Sequence, residues 1–159
     1  MFLKPDYNLK SIYDINFAEL KSKGVKVLFF DLDSTLMKSK SGMYTPRTLE
    51  WLEQFQRDFI VAVLSNNFNE DYIAKVQGIS TFDVIGAANK PNPKVLLEFL
   101  KNISIKPSEA AMIGDRPLTD ILAGKRAGCM TILVDSISAA EEGIPTRFVR
   151  WLERLSIKH

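Results

Sequence analysis

Val25-Lys26-Val27-Leu28-Phe29-Phe30-Asp31-Leu32-Asp33-Ser34-Thr35 is an apolar run of strand length that ends abruptly in two aspartates. Two further stretches have the same build. Phe59-Ile60-Val61-Ala62-Val63-Leu64 runs into Ser65-Asn66-Asn67, and Ala110-Ala111-Met112-Ile113 runs into Gly114-Asp115-Arg116-Pro117-Leu118-Thr119-Asp120. Near-continuous apolar runs of this kind read as buried strands, and helix-like segments separate them, so the strands should be parallel. Their carboxyl ends then share one edge of the sheet, where ligands of open α/β sheets bind. Asp31, Asp33, Ser65, Asn66, Asp115 and Asp120 are expected to meet at that edge, joined by Lys90 of Asn89-Lys90-Pro91.

The rest of the chain fills in the frame. Residues 1–24 read as an arm leading into a short helix, capped by Asp14 or Asn16, with Phe17 and Leu20 inward and Gly24 ending it. Residues 34–44 read as a loop or small hairpin. Thr45-Pro46 supplies a cap and a first-turn proline to a helix whose buried stripe is Leu49, Trp51, Leu52 and Phe55. A helix over 70–77 stopped by Gly78, a short strand over 82–85, and a periodic helix after Pro91-Asn92-Pro93 come next. A helix over 119–127 ended by Gly128, a strand over 129–134 and an amphipathic helix over 146–157 complete the chain. The pattern predicts one α/β domain over residues 1–159 with its core at 25–134. Its architecture is a three-layer, doubly wound, mainly parallel sheet of five strands. The gaps 34–65 and 66–90 have room for one helix each, so no separate cap domain is expected and the site should lie open.

Composition narrows the function classes. The chain has 159 residues, of which 46% are hydrophobic and 25% charged, as in ordinary globular domains. A net charge of +2 gives no reason to expect nucleic acid as a partner. One cysteine, Cys129, and one histidine, His159, exclude a disulfide framework and a Cys/His zinc site, and Cys129 reads as a buried small hydrophobe. Met1-Phe2-Leu3 is broken at once by Lys4-Pro5-Asp6, so no signal peptide is expected, and the apolar runs are far short of a membrane span. A cytoplasmic protein is the expectation.

Each motif admits two uses. Asp31 and Asp33 can project toward one phosphate, one attacking phosphorus while the other protonates the leaving oxygen and then takes a proton from water. Two carboxylates beside a phosphate dianion repel, which calls for a divalent cation, and Mg²⁺ suits one or two carboxylates plus substrate oxygens. An Asp-x-Asp pair can also simply cap a turn. Gly114 lets the backbone pass close, and Asp115 supplies the partner acid. Asp120 either reaches a metal-bound water or caps its helix with Thr119. The Ser65 hydroxyl and the Asn66 backbone N–H can hold phosphate oxygens, although Ser-Asn-Asn is also turn chemistry. Lys90 stands before a proline-led helix, where ammonium and helix terminus both favour phosphate; alternatively it is a solvated charge. In either use it should anchor little core. The order and placement of the four motifs together favour Mg²⁺-dependent phosphoryl chemistry.

The order Asp-x-Asp-x-Thr, Ser, Lys, Gly-Asp-x-x-x-x-Asp resembles the haloacid dehalogenase (HAD) superfamily of phosphohydrolases over residues 25–134. The resemblance implies that Asp31 is the nucleophile forming an aspartyl-phosphate. It implies Asp33 as general acid/base that also offers its backbone carbonyl to Mg²⁺, Ser65 and Lys90 as phosphate ligands, and Asp115 as the remaining metal carboxylate. Superfamily dehalogenases lack the second aspartate, so Asp33 points to a phosphatase. The stretches Leu3-Lys4-Pro5-Asp6, Ser11-Ile12-Tyr13-Asp14-Ile15, Leu118-Thr119-Asp120-Ile121 and Thr146-Arg147-Phe148 bring the chain closer to the YqeG-type subfamily, which is similar to phosphatidylglycerophosphate phosphatases. Ser34 departs from the asparagine expected inside the first motif.

The implied substrate is phosphatidylglycerophosphate, and the alternatives are a phosphorylated nucleotide, sugar or protein, or a non-catalytic binding scaffold. A signalling receiver domain fits poorly, because the strand over 82–85 leads into Gly86-Ala87 without an acid, and no lysine follows the strand over 129–134. Arg147, Arg150, Arg154 and Lys158 recur at helical spacing opposite Phe148, Trp151, Leu152 and Leu155. This helix either packs its apolar stripe on the sheet or offers its basic face to the inner surface of the membrane, and both hold if the basic face points outward.

Overall fold

A computed structural model describes residues 3–138 and 142–157; what was expected of Met1, Phe2, Lys158 and His159 lies outside them. The apolar runs form strands, and every pairing between them is parallel. In chain order the elements are β1 (Tyr7–Leu9), α1 (Phe17–Ser22), β2 (Val27–Phe30), α2 (Pro46–Phe55), β3 (Ile60–Leu64) and α3 (Glu70–Gly78). They continue with β4 (Asp83–Ile85), α4 (Lys94–Asn102), β5 (Ala110–Gly114), α5 (Leu122–Ala127), β6 (Met130–Val134) and α6 (Ile144–Leu155). The sheet order is β1-β6-β5-β2-β3-β4. The central strand β2 is registered with Phe30 opposite both Val63 and Ile113, so the three motif-bearing strands end level with one another.

The described sheet has six strands where five were expected. The addition is β1, which pairs with β6 at the sheet edge through Tyr7–Ile132 and Leu9–Val134. Three residues are too few for an alternating pattern to show in sequence. Asp6 locks the register: its carboxylate accepts from the Thr131 amide at 2.8 Å, the Thr131 hydroxyl at 3.0 Å and the Lys125 ammonium at 3.0 Å.

Successive strand side chains point to opposite faces, and both faces are buried. Leu28 and Phe30 of β2 join Leu20, Trp51, Leu52, Phe55 and Val76 from α1, α2 and α3. Val27 and Phe29 join Leu96, Leu100 and Ala127 from α4 and α5. These are the three layers. Asn16, rather than Asp14, caps α1, and Thr45 caps α2. Leu49 does not belong to the buried stripe of α2: it is exposed, and Thr48 takes the inward place, bonded to the Tyr13 hydroxyl at 2.9 Å. Residues 34–45 form turns with one bridge, Asp33 to Met37, and hold no inserted domain.

Two helices differ from expectation in ways that matter for the site. The segment after β5 begins as a wide π-helical turn, Pro117–Ile121, before α5, and ends at Gly128, whose φ of +84° suits glycine. Helix α6 starts at Ile144, with Pro145 in its first turn, and its orientation reverses both expectations. Its apolar residues Phe148, Trp151, Leu152 and Leu155 are exposed, while Arg150, Glu153 and Arg154 face the body. Ion pairs at the carboxyl edge of the sheet outcompete apolar packing here, because Asp115 and Asp135 follow β5 and β6 at that edge. No helix among the described residues is long and apolar enough to cross a membrane.

Candidate active site

The four motifs converge where β2, β3 and β5 end. Asp31, one residue past β2, donates its amide to the Ile113 carbonyl at 2.9 Å, which ties the first motif to β5. The Lys90 ammonium lies 2.7 Å from Asp31 Oδ1 and 2.7 Å from Asp120 Oδ1. Asp31, Asp115 and Asp120 each offer a carboxylate oxygen, all within 4.8 Å of one another. A Cβ at Gly114 would collide with the Asp120 carboxylate, so glycine there is what admits Asp120 to the cluster.

The electrostatics follow from burial. Asp115, Asp120 and Lys90 are buried, and the Asp31 side chain retains 14% exposure. The expectation of an open site is therefore corrected, because α6 lies against the edge and Arg150 pairs with Asp115. Burial, then repulsion from Asp31 and Asp120, pushes the Asp115 carboxyl up to about 8, against an ordinary 3.8. Burial and Asp31 also raise Asp120, partly offset by Lys90. For Lys90, burial disfavours the charge, but Asp120 and Asp31 more than offset it and hold the ammonium above its usual range. Three acids thus face two cations, a set short of positive charge.

The other expected residues sit around this cluster. Asp33 is next to it in sequence, but its carboxylate accepts from the Tyr72 hydroxyl at 2.7 Å and the Lys40 amide at 2.8 Å. Ser65 is buried at the end of β3, its Oγ accepting from the Asn67 amide at 3.1 Å. Asn66 clamps the Lys90 backbone from both sides: its Oδ1 accepts from the Lys90 amide at 2.8 Å and its Nδ2 donates to the Lys90 carbonyl at 2.9 Å. Ser34 adopts φ +69°, a left-handed conformation that asparagine tolerates better than serine.

Several participants were not singled out in the sequence. The Thr35 hydroxyl donates to Asp115 at 3.0 Å and lies 3.4 Å from Asp31; its signal was its fixed place as the last residue of Asp-x-Asp-x-Thr. Tyr72 carried no such signal. Arg116 grips Glu153 of α6 through two nitrogens, at 2.7 and 3.1 Å. Arg150 also lies 2.8 Å from Glu142.

An all-parallel doubly wound sheet with this acid–lysine cluster at its carboxyl edge matches the haloacid dehalogenase-like hydrolases, and the chain's relatives make the same assignment. A family model described as "HAD-hyrolase-like" matches residues 87–147. The chain is 35% identical over 153 residues to "Probable phosphatase YqeG" of Bacillus subtilis, covering 96% of this chain and 88% of that protein. It is 32% identical over 166 residues to "Phosphatidylglycerophosphate phosphatase 1, chloroplastic/mitochondrial" of Arabidopsis thaliana, covering 99% of this chain but only 48% of the plant protein. The structure of a 2-haloacid dehalogenase from Pseudomonas syringae superposes with a TM-score of 0.60 at 14% identity, covering 80% of this chain and 99% of that one, which speaks for the fold alone. The chain belongs to the haloacid dehalogenase-like phosphatases, in their YqeG-type family.

Proposed function

We propose that this phosphatase hydrolyses phosphomonoesters through an aspartyl-phosphate on Asp31 with Mg²⁺, and that its substrate is phosphatidylglycerophosphate. The observation that carries the chemistry is Lys90 bridging Asp31 and Asp120 inside a carboxylate cluster short of positive charge. Those acids fit a hard divalent cation, which takes carboxylate and phosphate oxygens. Asp31 and Asp115 would hold it together with the Asp33 carbonyl, Asp120 serving as second support. When bound, the ion supplies charge neutralisation for the phosphoryl oxygens.

The chain's own groups perform the transfer. An Asp31 oxygen attacks phosphorus, and the bond to the leaving oxygen breaks as Asp33 delivers its proton there. Water then attacks the phospho-aspartate while the Asp33 carboxylate takes a proton, releasing phosphate and restoring Asp31. The Tyr72 hydroxyl holds Asp33 in place between these tasks. Lys90, kept charged by its neighbours, draws the phosphoryl group toward Asp31, with the Ser65 hydroxyl and the Asn66 backbone N–H as further phosphate contacts.

The lipid substrate rests on the relative from Arabidopsis thaliana, whose name specifies it. In this reading the protein works from the cytoplasmic side at the inner face of the membrane, as a peripheral visitor. Phosphate release from phosphatidylglycerophosphate in mixed detergent micelles, with and without Mg²⁺, tests it. Efficient Mg²⁺-dependent release is expected. Rapid cleavage of nucleotides or sugar phosphates with no lipid cleavage would overturn the substrate and leave the chemistry.

A further inference from the structure

Helix α6 presents a face that the proposed chemistry does not use. Ile144, Phe148, Val149, Trp151, Leu152 and Leu155 are all exposed, and the Phe148 and Trp151 rings stack with centroids 5.8 Å apart. An amphipathic helix on a globular protein ordinarily turns such a stripe inward. Here the inward positions belong to Arg150, Glu153 and Arg154, which fasten the helix to Asp115, Arg116 and Asp135. Leu3 and Ile157 anchor the far end through a bridge, with Leu3 N donating to Ser156 O at 2.8 Å.

We propose that the outward face of α6 docks onto an anionic phospholipid bilayer and lies in its interface, bringing the Asp31 site to the headgroups. This rests on the lipid reading of that site. Two observations choose the occupant. The first is charge: α6 carries Arg147, Arg150 and Arg154 against a single acid, Glu153, which is buried against Arg116, so the exposed surface of the helix is apolar residues with Arg147 among them. Such a face complements anionic headgroups over hydrocarbon.

The second observation is continuity. A cavity of about 260 Å³ lies beside α6, lined by Arg116, Pro145, Thr146, Val149 and Arg150. Val149 belongs to the outward face, and Arg150 touches Asp115 of the cluster. Neighbouring residues of one helix thus reach both the outward face and the cluster. A lipid whose chains lie along the apolar face can place its phosphate among these arginines without leaving the bilayer.

The two tryptophans make the test direct, because Trp51 is 8% exposed and Trp151 is 56% exposed. The full chain is mixed with phosphatidylglycerol/phosphatidylcholine vesicles that contain no phosphorylated substrate lipid. Co-sedimentation, tryptophan emission and quenching by brominated lipid are then recorded. Binding should rise with phosphatidylglycerol content, with a blue shift and quenching that vanish in Trp151→Phe. The pair Phe148→Ser with Leu152→Ser should weaken partitioning at least about tenfold while leaving cleavage of a water-soluble aryl phosphate unchanged, which also certifies that the variant is folded. Absence of vesicle binding, or binding indifferent to that pair, overturns the proposal. So does a concentration-dependent dimer abolished by the same pair in a protein that ignores vesicles. The substrate reading fails separately: a protein that binds these vesicles yet cleaves no phosphatidylglycerophosphate in micelles loses its lipid substrate, not its docking face.

Discussion

Replacing Lys90 by methionine should destabilise the metal-free protein, contrary to what a lysine on a loop before a helix suggests from sequence. The side chain is 3% exposed and sits 2.7 Å from two carboxylates, one of them equally buried. Methionine keeps the apolar stem and removes the charge, leaving Asp31, Asp115 and Asp120 with only Arg150. Removing one partner of a buried ion pair typically costs about 3–5 kcal/mol. The loss is limited because Asp120, already shifted upward, can take a proton once the ammonium is gone. A value of about 3 kcal/mol at pH 8 follows, or roughly 6–12 °C in Tm for a domain of this size. The assay is thermal unfolding followed by circular dichroism in chelator at pH 8 and pH 5. The deficit should shrink at pH 5, and Asp120→Asn in the same chain should recover more than half of it. A Lys90→Met protein melting within about 2 °C of wild type at pH 8 would refute the view that this cluster is held together by its lysine.

Five other outcomes follow from the same geometry. Gly114→Ala should lower stability by about 1–3 kcal/mol and activity with it, because its Cβ collides with Asp120; unfolding curves and kcat check both, and an unaffected enzyme would mean that Asp120 can move freely. Between pH 4 and pH 8 the folded state retains a proton on Asp115 that the unfolded chain has lost, so metal-free stability should fall as pH rises through that window. Mg²⁺ should then raise Tm more at pH 8 than at pH 5.5, since binding requires the ionised carboxylate, as paired melting scans will show. Tyr72→Phe should reduce kcat about tenfold with little change in KM, because it leaves the Asp33 carboxylate held by the Lys40 amide alone without touching the phosphate; a change in KM alone would contradict this. Arg150→Gln should tighten Mg²⁺ binding measured by calorimetry, since the guanidinium competes for Asp115, and unchanged affinity would remove that competition from the account.

Much of this architecture was legible because burial on both sheet faces leaves apolar runs that no helix among the described residues imitates. Strands β2, β3 and β5 came directly from those runs, as did the aspartates that follow β2 and β5 and the Ser65-Asn66-Asn67 turn that follows β3. Strand β1 did not, since three residues held by Asp6 and an edge pairing leave no periodicity. The cluster itself was legible as a list but not as a network. Nothing local says that Asn66 clamps the Lys90 backbone or that Asp33 rests on Tyr72. Helix α6 misled for a physical reason: its pattern fixes two faces but not which one is inward, and buried carboxylates at the sheet edge reversed the usual choice. The same reversal set α6 over one side of a site that loop lengths alone suggested was fully open, while Asp31 keeps 14% exposure.

The central claim is that Asp31 carries the phosphoryl group. Rapid acid quench of the enzyme during turnover with Mg²⁺, followed by peptide mass mapping, measures this directly. The account predicts a phosphoryl adduct on the peptide containing Asp31, absent without the metal and absent in Asp31→Asn, whose kcat should fall at least about a thousandfold, or roughly 4 kcal/mol of barrier. Turnover with no adduct, and an Asp31→Asn enzyme as active as wild type, would contradict it.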